Sequence, residues 1–108
     1  MTLQVKEIYS KVYEALKEDI DDVLRHHAIE QLEQRILEAS QNIQHWEEKY
    51  SCDYETFTYR TATDEAYVRQ LNTKTETQMW EGDLISWEFE MRELETWQSH
   101  LQQLLTAS

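Results

Sequence analysis

IEQLEQRILEASQNIQHWEEKY, running from Ile29 to Tyr50, is the stretch that decides the fold. Its apolar positions are Ile29, Leu32, Ile36, Ala39, Ile43, Trp46 and Tyr50, in 3-4-3-4-3-4 spacing. That is an a/d heptad seam held for three heptads. Between them lie Glu30, Glu33, Gln34, Arg35, Glu38, Gln41, Gln44, Glu47 and Glu48. The pattern predicts one helix about 33 Å long at 1.5 Å per residue.

Toward the N-terminus the stripe has another phase. Tyr9, Val12, Leu16, Ile20 and Val23 line one face, with Val5 and Ile8 at its start. Extended, this stripe lands on His27 rather than Ile29. The slip near Leu24 to Ala28 reads as a bend, a loop, or a continuous helix whose stripe changes partners. Residues 1–28 are expected to form an N-terminal helix, loosely packed or used for oligomerisation.

Toward the C-terminus, Ser51 or Asp53 can cap a new helix, because a side-chain oxygen accepts the free N–H groups of a first turn. Tyr54 and Phe57 then predict a short aromatic helix. Thr61 to Asp64 reads as a turn, and Glu65 to Leu71 as a second short helix. Asn72 to Thr75 reads as a second break, and Thr73 with Glu76 fits a capping box. The last helix is expected from Glu76 to Leu105. Trp80, Leu84, Trp87, Met91, Leu94, Gln98, Leu101 and Leu105 make its stripe, and Trp97 and Leu104 widen it by one row. Gly82 either permits close backbone approach or marks a start with Asp83 as cap.

The chain contains no proline and one glycine, so little interrupts long helices. Alternating β-branched strands are missing. The expected fold is therefore all-α. An antiparallel helical hairpin, about 29–50 and 76–105, is joined by one or two short helices. All 108 residues fit a single domain. Two helices make a thin core, so oligomerisation or a partner is expected to complete it.

Charge narrows the partners. The chain has 22 acidic and 10 basic residues, a net charge of −12. Both halves are acidic. Polyanionic nucleic acid and anionic membrane surfaces need Lys/Arg clusters that are not present. A basic protein partner is favoured by complementary fields. The blander reading is a surface kept apart by like charge. A single cysteine, Cys52, cannot form an internal disulfide. With no signal-peptide core and no apolar run of membrane-spanning length, a cytoplasmic location is expected.

Catalytic and metal-binding patterns fail individually. None of His26, His27, His45 and His100 follows a Glu by three positions. One cysteine excludes a zinc ribbon. Cys52 has His45 seven residues before it but no orienting group. The pairs Glu81/Asp83, Glu88/Glu90 and Glu93/Glu95 are two apart and face different ways on a helix. Neither an enzyme nor a cofactor is expected.

The aromatic residues remain. Trp at helical spacing most often fills a core; the competing reading is an interface anchor. Residues 76–97 carry seven acidic residues and one basic, Arg92.

The run Glu47-Glu48-Lys49-Tyr50-Ser51-Cys52-Asp53-Tyr54-Glu55-Thr56-Phe57, then Trp80-Glu81-x-Asp83-x3-Trp87-Glu88 and a Leu-rich helix, resembles small prokaryotic helical antitoxins. These are encoded beside ribonuclease-type toxins. They share a long helix, a Lys-Tyr-Gly-like turn, a Glu-x-Phe helix and a final helix opening on an acidic-Trp motif. Here Ser51 stands at the glycine position, and the likeness spans roughly residues 29–105. It implies neutralisation of a basic ribonuclease toxin, with Tyr54, Phe57, Trp80, Glu81, Asp83, Trp87 and Glu88 as contact residues. The alternative is a self-associating coiled-coil structural or adaptor protein without a toxin partner.

Overall fold

A computed structural model describes residues 2–107. Four helices follow in order: α1 (Thr2–Tyr50), α2 (Tyr54–Thr63), α3 (Glu65–Thr73) and α4 (Trp80–Thr106). No strand occurs among the described residues. α4 packs along the C-terminal half of α1, and α2 and α3 cap the closed end of this hairpin. The molecule measures 86 × 22 × 16 Å.

α1 is one helix of 49 residues, about 73 Å long at the standard rise. The phase slip near His27 is therefore neither a bend nor a loop. No proline or glycine lies between Lys17 and Ala28, and the acidic run Lys17 to Asp22, which could have made a capped break, stays helical throughout. The stripe changes sides while the backbone continues.

The expected seam of α1 is at least partly covered at every position, with Ala39, Ile43 and Tyr50 buried. Ser51 ends the helix at φ 57°, the left-handed conformation common just past a helix C-terminus. Asp53, not Ser51, caps α2: its Oδ1 accepts from the Thr56 N–H at 2.7 Å.

The turn expected at Thr61 to Asp64 shrinks to one residue. α2 runs through Thr63, and Asp64 alone leaves helical geometry. It serves both neighbours. Its N–H donates to the Arg60 carbonyl at 2.9 Å, and its Oδ1 accepts from the Tyr67 N–H at 3.0 Å.

The capping box at Thr73 and Glu76 does not form. The Thr73 hydroxyl donates to the Gln70 carbonyl, closing α3 instead. Residues 74–79 are turns in which the Thr77 hydroxyl donates to the Leu71 carbonyl at 2.7 Å. Thr73, Thr75 and Thr77 lose side-chain freedom in a helix, so a turn with a satisfied hydroxyl wins there. α4 consequently starts at Trp80 rather than at residue 76. Gly82 lies inside α4, with nothing within 4 Å of where a Cβ would stand. It neither admits another backbone of this chain nor begins a helix.

Register in α4 shifts by one residue past Trp87. Met91, Gln98 and Leu105 are exposed, whereas Glu90, Trp97 and Leu104 are partly covered. The facing row is Trp80, Leu84, Trp87, Glu90, Leu94, Trp97, Leu101 and Leu104. A polar Gln98 gains nothing inside, while Trp97 and Leu104 bury large apolar surface. Asn42 holds the turned-in Glu90, donating from Nδ2 to Oε1 at 3.1 Å. Arg25 closes the open end, donating from Nη2 to the Leu104 carbonyl at 3.0 Å.

Candidate protein-binding face

The closed end of the hairpin is built around two side chains with no exposed surface, Phe57 and Trp87. Phe57 arrives on α2 because Asp53 fixes where that helix starts. Trp87 arrives on α4 one turn beyond Asp83. Their rings lie 5.5 Å apart at 30°. Tyr50 packs on Phe57 at 4.3 Å and Tyr54 meets Trp87 edge-on at 5.8 Å. Ile43 and Leu71 complete the buried cluster. Offset and edge-to-face geometries of this kind add to simple area burial. The Trp87 Nε1 is buried with no hydrogen-bond partner among the described residues, an energetic cost that the packing offsets.

This geometry redistributes the seven expected contact residues. Phe57 and Trp87 have no surface to offer a partner and belong to the core. Asp83 is engaged internally, accepting from the Tyr50 hydroxyl and from Lys49 Nζ. Trp80 and Tyr54 are half-buried against the core, and the Trp80 Nε1 donates to Asn72 Oδ1 at 2.8 Å. Glu88 pairs with Arg92 at 2.6 Å. Glu81 is exposed. The set therefore divides into a core, a hydrogen-bonded mouth, and two carboxylates on the outside of α4.

On that outside lie two residues that the stripe analysis passed over. Ile85 is 68% exposed and Phe89 is 59% exposed. They stand four apart, so they neighbour each other on the helix surface. Glu81, Glu88 and Glu95 share that side of α4, against Arg92 as the one cation. The signal was present in the sequence: two large apolar residues outside the seam, at helical spacing, within a polar face. Open space at Gly82 adjoins them.

Three groups around the mouth, Tyr50, Cys52 and Tyr67, are shifted toward their protonated forms. Burial, with the hydrogen bond to Asp83 behind it, pushes the Tyr50 hydroxyl well above the usual range. Burial also raises the Cys52 thiol, partly opposed by Arg60. Burial raises Tyr67 too, and the Arg60 guanidinium, 3.7 Å over its ring, opposes that. A raised thiol is a poor nucleophile.

Among the described residues, no group of three or more His, Cys, Asp or Glu side chains is placed to hold a metal ion. Surface depressions occur along the helices, one of them beside His26 and His27. No described helix is long and apolar enough to cross a membrane. No protein family, no characterised protein and no solved structure matches this chain.

Proposed function

We propose that this chain is a non-catalytic protein-binding module, and that the outer face of α4 docks a basic partner. One observation carries the reading. Ile85 and Phe89 stand largely exposed among carboxylates, although the core seam has other residues to fill it. Large apolar anchors inside a charged rim are the usual anatomy of a binding hot spot. The net charge of −12 speeds encounter with a cationic surface.

The likeness of residues 47–57 and 80–88 to antitoxins makes a ribonuclease toxin the first basic partner to test. A ribonuclease keeps a positive surface for RNA, and an acidic helical face can cover it. The reading shifts the anchoring role from Trp87 to Phe89.

The reading predicts a basic toxin encoded beside this chain's gene, and that protein is the probe for the test. Co-expression should restore growth to cells poisoned by that protein. The double variant Ile85→Asp and Phe89→Asp should lose rescue while keeping its circular dichroism spectrum. Full rescue by that folded variant would rule out the proposed face.

A further inference from the structure

The N-terminal part of α1 projects beyond the hairpin with an apolar stripe that no described residue covers. From Val5 to Leu24 the large hydrophobic side chains are between 50% and 71% exposed. The stripe has an internal symmetry. Val5, Ile8, Val12, Leu16, Ile20 and Val23 are separated by three, four, four, four and three residues. Read backwards the spacing is unchanged, and the residue types nearly so.

We infer that this arm is the interface of an antiparallel homodimer. A twofold axis near position 14 sets Val5 of one copy against Val23 of the other. The same axis pairs Ile8 with Ile20 and Val12 with Leu16. Two-fold pairing requires a self-complementary patch, and this stripe is one. The mean spacing is 3.6, the pitch of a straight helix, so the stripe stays on one side throughout.

Charge selects the direction. The first half of the arm, residues 5–13, carries Lys6 and Lys11 against Glu7, whereas the second, residues 15–23, carries Glu18, Asp19, Asp21 and Asp22 against Lys17 alone. Parallel pairing sets the acidic tracts side by side, where like charges repel. Antiparallel pairing brings Lys11 of each copy alongside Asp19 of the other, on a flank they share.

The hairpin leaves room for the second copy. At 100° per residue, the stripe points roughly 150° away from the side of α1 where Arg25, Ile29 and Leu32 meet α4. A partner helix therefore passes the end of α4 on the opposite side. The two hairpins then stand at the two ends of a long particle.

Small-angle scattering and light scattering of the full chain test this. The expected result is a dimer mass with a maximum dimension of about 135 Å, against 86 Å for one chain. Val12→Asp combined with Leu16→Asp should weaken the dimer by more than about 100-fold, since buried unpaired charge is strongly disfavoured. Its near-ultraviolet circular dichroism, which reports the Trp87 cluster, should not change. Three results would overturn the inference: a monomer at about 100 micromolar, a dimer no longer than one chain, or a dimer that persists in the double variant. Binding of a basic partner through Ile85 and Phe89 should survive that variant, which separates the two surfaces.

Discussion

The Tyr50 hydroxyl donates to the Asp83 carboxylate at 2.5 Å, and Lys49 Nζ reaches the same oxygen at 2.7 Å. This contact ties the end of α1 to the first turn of α4, where the hairpin closes. A carboxylate in the first turn of a helix is also favoured by the helix dipole. Burial first, and this bond second, hold the proton on Tyr50 in the folded state.

Stability should fall at high pH as a result. Unfolded tyrosine titrates near pH 10, and the folded Tyr50 holds its proton to higher pH. The contribution is complete below about pH 10 and is lost as pH rises through the folded value. Tyr50→Phe should cost about 1 kcal/mol at neutral pH, the size of a typical hydrogen bond. It should also flatten the alkaline limb. Urea melts of both proteins from neutral to strongly alkaline pH would check this.

Ser51 adopts a backbone conformation that a side chain resists. Ser51→Gly should therefore stabilise the fold by about 0.5–1 kcal/mol, and Ser51→Val should destabilise it by more. For a chain of this size a change of 1 kcal/mol moves the melting temperature by about 4 °C or more. A lower melting point for the glycine variant would refute this account of the turn.

Core and outer face of α4 should respond very differently to truncation. Trp87→Ala removes a fully buried ring and should cost about 3–5 kcal/mol. That is a large part of the total stability of a small domain. Ile85→Ala, on the exposed side, should stay within about 0.5 kcal/mol. Chemical denaturation of the two variants separates the roles directly.

Cys52 should be slow to alkylate. Its thiol is half-buried beside the aromatic cluster and pushed upward by that burial. The iodoacetamide rate at pH 8 should lie below that of the same chain in denaturant. Equal rates would mean that the thiol is open to solvent.

The hairpin was legible because Ile29 to Tyr50 repeats with one period and nothing competes with it. Four features were harder to read. The register of α4 turned on whether Gln98 or Trp97 faces inward, and both choices keep Leu94 and Leu101 inside. Packing against α1 decided it, with Asn42 and Arg35 meeting Glu90 and Trp97. Trp87 and Phe57 carried the spacing of a core and the chemistry of an interface; only the arrival of Tyr50 and Tyr54 around them distinguishes the two. Ile85 and Phe89 were overlooked because a search for the seam discards whatever lies off it. The break expected at Asn72 to Thr75 begins later and runs on to residue 79, because the Thr77 hydroxyl bonds to Leu71, six residues back, outside any local capping rule.

The unbroken course of α1 makes it a torsional ruler. Arm and hairpin share one helical lattice, so their angular phase is set only by the number of residues between them. Inserting one residue after Ala28 would swing the arm's stripe by about 100° around the axis, toward or away from α4. Inserting a second would carry it to about 200°, while inserting seven would return it to within about 20° of its original direction and move it about 10 Å outward. Function that depends on the relative orientation of the two ends would then rise and fall periodically with insert length, as it does for two sites on one face of a twisted rod.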